Sequence, residues 1–214
     1  RAEESRLVLV DVTSQSGIDF VHHDGSQGKE YLFELMGAGL ATLDFDGDGN
    51  FDSYFLNGQT MPSSGDASLT PGNALFRNLG HMHFTECSHA SRADFHGYGL
   101  GVTVGDYNSD GFPDLYISNF GQNALLQNCG DGTFLNVADI ASVTDGNKFG
   151  AGVAFLDLEG DGDLDLFSAN YVDFTFERHA VLAPQAFPFP PGPKDFPPLT
   201  DSLFLNNGDG TFSD

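Results

Sequence analysis

Short apolar runs recur along this chain, and each is bounded by Gly, Asn, Asp or Pro. "GLATL" (39–43) and "SYFL" (53–56) flank "DFDGDGNFD" (44–52), and "GVAFL" (152–156) and "LFSA" (166–169) flank "DLEGDGDLD" (157–165). Runs of this length between turn residues predict β-strands. Helical periodicity is hard to find, and 27 Gly with 10 Pro argue against long helices. Asn-Gly and Asp-Gly between alternating apolar runs, as in "NNGDGTF" (206–212), mark hairpins, because tight turns need positive φ.

The runs form a repeat. "GLATLDFDGDGNFDSYFLNG" (39–58) aligns with "GVTVGDYNSDGFPDLYISNF" (101–120) and "GVAFLDLEGDGDLDLFSANY" (152–171). A second element follows each: "NALFRNLGHMHFTE" (73–86), "NALLQNCGDGTFLN" (123–136) and "DSLFLNNGDGTFSD" (201–214). The acidic stretches begin at Asp44, Asp106 and Asp157, a spacing that suits propeller blades and exceeds solenoid coils. Each unit reads as four strands, with the acidic stretch between the first two and the Gly-Asp-Gly turn between the last two. The units span about 37–88, 97–138 and 150–214, with a Pro-rich insertion at 172–200. "LVLVDVT" (7–13) resembles the fourth-strand segments and is expected to be a leading strand from a closing blade. Propellers usually need at least four blades to close, so three units predict a fragment, or a partner chain that completes the ring.

The acidic stretches carry the candidate chemistry. Asp44, Asp46, Asp48 and Asp52 occupy positions 1, 3, 5 and 9, with Asn50 at 7. The second has Asp106, Asn108, Asp110 and Asp114, with Phe112 at 7; the third has Asp157, Glu159, Asp161 and Asp165, with Asp163 at 7. Each has Gly at position 6: Gly49, Gly111 and Gly162. Ca²⁺ takes six to eight oxygens, and alternating short carboxylates curl around one point where Gly permits a sharp turn. A backbone carbonyl serves at position 7, so Asn, Phe and Asp are all tolerated there. These are not EF-hands, nor dockerin-type loops, which need an acid at position 12. That position holds Phe55, Ile117 and Ser168, and the flanks read as strands. Eleven carboxylates stand at the proposed ligand positions. Without a cation, carboxylates about 4 Å apart repel by several kcal/mol at an effective dielectric near 20, so folding is expected to be linked to about three Ca²⁺ ions. Mg²⁺ fits less well, because it keeps several waters. The second loop has one fewer carboxylate and is expected to bind most weakly. Glu159 is one methylene longer and is expected to reach badly or through water.

Composition narrows the classes. Lys and Arg total 8 against 31 Asp and Glu, for a net charge of −23. That leaves no basic patch for nucleic acid or anionic membrane, and no apolar stretch is long enough for membrane insertion. No signal peptide is visible; "RAEESRLVLV" (1–10) is expected to be the mature end of a secreted protein or a cut point in a longer one. Cys87 and Cys129 are too few for a disulfide framework, and whether they pair is open. His22, His23, His89 and His96 read as loop residues, and His81 and His83 lie in a decayed first-unit turn. No Ser-His-Asp, HExxH or phosphate-cradling motif is visible, so no catalytic residue is assigned.

The repeated D-x-[DN]-x-D-G-x-x-D loop and "NGDGTF" resemble the FG-GAP/VCBS repeats of integrin-α-like β-propellers. The leader "GIDFVHHDGSQGKEYLFELMGAGLATLDFDGDG" (17–49) is more narrowly similar to secreted proteins of the cartilage-acidic-protein (ASPIC/UnbV-associated) group. The resemblance covers nearly the whole chain. It implies an all-β fold of propeller blades from a seven-bladed ring, one calcium per loop, an extracellular location and a role in adhesion or binding; a periplasmic location is the alternative.

Propeller connectivity would place the acidic loops and Gly-Asp-Gly turns on one face and the variable insertions on the other. The 171–200 stretch carries seven of the ten prolines with Phe174, Phe176, Phe187, Phe189 and Phe196. It is expected either to recognise a protein or glycan ligand or to pack as a lid on its own propeller. Two alternatives accompany this binding-module reading. One is an enzyme domain, a hydrolase or lyase with a site among the insertions. The other is a structural subunit whose open sheet edges pair with further blades or other chains.

Overall fold

The computed structural model describes residues 8–26, 28–61, 71–186 and 189–214, the side chains of 185 and 186 excepted. The chain is all-β and built as propeller-type blades. Unit one comprises β1 (Leu40–Leu43), β2 (Asp52–Phe55), β3 (Ala74–Asn78) and β4 (Phe84–Glu86). Unit two comprises β5 (Gly99–Gly105), β6 (Asp114–Gly121), β7 (Ala124–Asn128) and β8 (Phe134–Asn136). Unit three comprises β9 (Lys148–Leu156), β10 (Asp165–Asn170), β11 (Ser202–Asn206) and β12 (Phe212–Ser213). Within each unit, consecutive strands pair antiparallel. The far end of β6 also pairs with the start of β9 through Phe120–Phe149 and Gly121–Lys148, joining units two and three.

Alternating apolar residues make the seams between units. Tyr54 and Leu75 of unit one pack with Leu115, Ile117, Ala124 and Leu126 of unit two. Tyr116 and Leu125 point the other way and pack with Leu166, Phe204 and Phe212 of unit three. The residues aligned with Tyr116 and Leu125 in unit three are Phe167 and Leu203, each 37% exposed. They form an apolar face with no partner among the described residues.

The first strand of each unit lies closest to its counterparts, and glycine makes that approach feasible. A Cβ on Gly101 would sit 2.2 Å from the carbonyl oxygen of Ala151. Gly101→Ala is expected to destabilise the fold by about 2 kcal/mol, the cost of forcing a methyl into packed backbone. A urea midpoint equal to that of the unsubstituted chain would contradict this.

Residues 8–12 form no strand, and Val8, Leu9 and Val10 are exposed. Of the 7–13 segment expected to close a further blade, Thr13 belongs to α1 (Thr13–Ser16), a single helical turn. The Pro-rich insertion contains an eleven-residue helix, α2 (Phe176–Ala186), that its prolines concealed; only Pro184 lies inside it. The insertion also packs on its own scaffold. Phe174 and Phe196 are buried with Phe33, Tyr98 and Phe149 in a third cluster, which the Leu32–Leu35 3₁₀ turn helps to form. Phe33 stacks on Phe120 with centroids 4.5 Å apart. Phe189 is exposed, and Phe187 lies outside the described residues. Cys87 and Cys129 are both free thiols.

Candidate metal centre

Each acidic turn joins the first two strands of its unit. In the first, Asp44 accepts the Asp48 N–H at 3.0 Å and the Gly49 N–H at 2.9 Å, curling the backbone over its own carboxylate. Asp106 does the same for Asp110 and Gly111, and Asp157 for Asp161 and Gly162. The curl needs positive φ at positions 4 and 6. Gly49, Gly111 and Gly162 meet it at position 6. At position 4, Gly47 and Gly160 are matched by Ser109, a side-chain-bearing residue held at φ 57°.

One carboxylate oxygen each from Asp44, Asp46 and Asp48 lies within 4.8 Å of the other two. This donor set fits a hard cation, which takes oxygen ligands. No second group of three acidic, His or Cys side chains converges this closely among the described residues. In the second loop Asn108 stands where Asp46 stands in the first, and its amide donates to Asp110 at 2.9 Å. In the third, Glu159 stays outside such a group. Asn50 donates its backbone N–H to Asp48, as Phe112 does to Asp110 and Asp163 to Asp161. The Asn50 backbone N–H, then its side-chain amide, and after them the Arg77 guanidinium hold the Asp48 carboxyl below its ordinary pKa.

Position 9 is built differently. Asp52, Asp114 and Asp165 are buried, and each carboxylate bridges two distant backbone N–H groups. Asp52 accepts from Phe45 at 3.1 Å and Asn78 at 2.7 Å. Asp114 accepts from Tyr107 at 3.2 Å and Asn128 at 2.8 Å, and Asp165 from Leu158 and Asn206, both at 2.9 Å. These aspartates tie the acidic turn to the end of the third strand. Burial pushes the Asp52 carboxyl up to about 6 and that of Asp114 up to about 7, while the bridged N–H groups pull the other way.

The third-strand asparagines make contacts between units that sequence reasoning missed. Asn128 of unit two donates through its side chain to the Phe45 carbonyl of unit one at 2.8 Å. Asn206 of unit three donates to the Tyr107 carbonyl of unit two at 2.8 Å. The first and second acidic turns are thereby each linked to the following unit. The signal was present as Asn at the same register in "NALFRN", "NALLQN" and "SLFLN".

On the opposite face a cavity of about 330 Å³ is lined by Asp19, Asn57, Glu86, His89 and Asp94 among others. His89 Nδ1 lies 2.9 Å from Asp94, but the imidazole is 97% exposed, so the ring has full access to water. His179, buried under Tyr31, has its pKa lowered by that burial. No helix among the described residues is long and apolar enough to cross a membrane.

A family model described as an FG-GAP-like repeat matches residues 44–117 and 106–168, more than half the chain. The chain is also similar to cartilage acidic protein 1. The match is 30% identity over 150 residues with the Homo sapiens protein, covering 68% of this chain and 22% of that one. With the Xenopus tropicalis protein it is 30% over 140 residues, covering 64% and 22%. With the Mus musculus protein it is 29% over 157 residues, covering 72% and 24%. The chain thus spans less than a quarter of the length of these relatives.

Proposed function

This chain belongs to the FG-GAP-like repeat family, and from that premise we propose that it is a calcium-binding propeller segment of an extracellular protein that recognises a protein or glycan. The observation that carries the reading is the convergence of Asp44, Asp46 and Asp48 in a turn whose pattern recurs twice. Calcium would be held by Asp44, Asp46, Asp48 and Asp52 with the Asn50 carbonyl. In the second loop Asp106, Asn108, Asp110 and Asp114 with the Phe112 carbonyl would serve, and in the third Asp157, Glu159, Asp161 and Asp165 with the Asp163 carbonyl. About three ions would bind, and their chemistry is charge neutralisation within the turns, not catalysis. An extracellular or periplasmic setting, where calcium reaches millimolar levels, suits such sites, and the likeness to cartilage acidic protein 1 supports it. Further blades or other chains would cover the apolar face at Phe167 and Leu203.

The insertion face is the proposed recognition surface. Its aromatic cluster holds α2 and the segment leading to β11 in place, so binding there would cost little ordering entropy. Phe189 projects from that segment, 76% exposed. The immobilised chain, probed with a panel of purified matrix proteins and a glycan array, is expected to show saturable binding that Phe189→Ser weakens about tenfold, as loss of an aromatic anchor would. An absence of saturable binding in both panels, with calcium present, would remove the recognition reading.

A further inference from the structure

The three acidic turns differ in one respect that their own sequences do not show. Arg77, on β3, places Nε 2.6 Å from Asp46 Oδ2 and its terminal nitrogen 3.3 Å from Asp48 Oδ2. These carboxylates hold positions 3 and 5 of the first turn, two of the three that converge. The aligned residues are Gln127 in unit two and Leu205 in unit three, neither of them cationic. Among the described residues, no ion pair reaches the second or third turn. The Arg77 side chain is 43% exposed and lines a cleft of about 540 Å³ together with Asp46, Cys87 and Asp131, so it has room to withdraw.

We propose that Arg77 is a built-in competitor for the divalent cation in the first turn. Its guanidinium neutralises Asp46 and Asp48 when metal is absent and must give up those oxygens, or share them, when metal binds. A cation entering beside it also meets its positive charge. The first turn, with four ligand carboxylates, is therefore weakened below what that count implies, and it stays ordered in low calcium. The third turn, lacking any such counter-charge, depends most on metal. Carboxylate number alone put the second turn last; the guanidinium brings the first down towards it. The inference rests on the calcium reading above.

Calcium titration followed by the amide resonances of Gly49, Gly111 and Gly162 reads each turn separately in the whole chain, since each of these N–H groups donates to the first aspartate of its own turn. Arg77→Gln, which copies the residue of unit two, is expected to lower the Gly49 midpoint about five- to tenfold and leave the Gly162 midpoint unchanged. Gln127→Arg is expected to raise the Gly111 midpoint by a similar factor. A Gly49 midpoint unchanged or raised in Arg77→Gln, while Gly111 and Gly162 titrate normally, would overturn the proposal and leave the calcium reading intact. Should Arg77→Gln fail to fold, an unmoved Gly111 midpoint in Gln127→Arg would overturn it instead. If none of the three glycines responds to millimolar calcium in the unsubstituted chain, the calcium reading falls and this inference with it.

Discussion

Chelating calcium with EGTA is expected to lower the thermal midpoint by about 15 °C. A ligand held at a hundredfold its dissociation constant stabilises the folded state by about 2.7 kcal/mol per site. Two to three such sites give about 5–8 kcal/mol, and in a domain of this size each kcal/mol moves the midpoint by about 2–4 °C. The sign follows from charge. Eleven carboxylates at the proposed ligand positions occupy three short turns in a chain of net charge −23, and three Ca²⁺ ions at +2 each would bring that to −17. Without metal, the third turn has only backbone N–H groups, its own and that of Asn206, to set against the repulsion. Differential scanning calorimetry in 2 mM CaCl₂ and in EGTA, with MgCl₂ as control, measures the difference. A midpoint that moves by less than a degree or two would rule out calcium as a structural component.

The second large effect concerns Asp114 and is separable from metal. In EGTA, Asp114→Ala is expected to cost about 3 kcal/mol. The substitution strands the Tyr107 and Asn128 N–H groups in a wholly buried place, at about 1–3 kcal/mol each. Relief from burying a carboxyl already pushed up to about 7 offsets part of that loss. Asp114→Asn keeps one acceptor but turns a donor toward the other N–H, so it should recover about half. Urea midpoints at constant m measure both. Were Asp114 only a metal ligand, neither variant would differ from the unsubstituted chain once calcium is chelated.

That pair of roles shows which parts of the molecule were legible before the structure. The acidic turns and hairpins were legible because their cause is local: Gly49 and Gly111 must adopt positive φ, and aspartates two apart must curl inward. The blades followed because Tyr116 and Leu125 recur at matched positions of a repeat. What stayed hidden was long-range. Asp52 and Asn78 are 26 residues apart, and Asn206 reaches a carbonyl 99 residues earlier. A pattern of residue types cannot say that the aspartate at position 9 is occupied with backbone on two sides. Nor does it reveal that Arg77 swings from β3 onto Asp46 and Asp48. The helix Phe176–Ala186 was obscured by the prolines around it, since only Pro184 interrupts the helical register. The segment 7–13 resembles the fourth-strand segments, and a strand of that kind needs a neighbouring blade to bond with.

Three units in a row share two seams, and this sets how the molecule comes apart. Among the described residues, the middle unit is held on both flanks, by the Tyr54–Leu75 side and by the Phe204–Phe212 side, and units one and three are each held by one of these seams. Detaching β9–β12 costs one interface, whereas dislodging β5–β8 costs two. Within these three units, local opening is therefore expected to cost most at β5–β8.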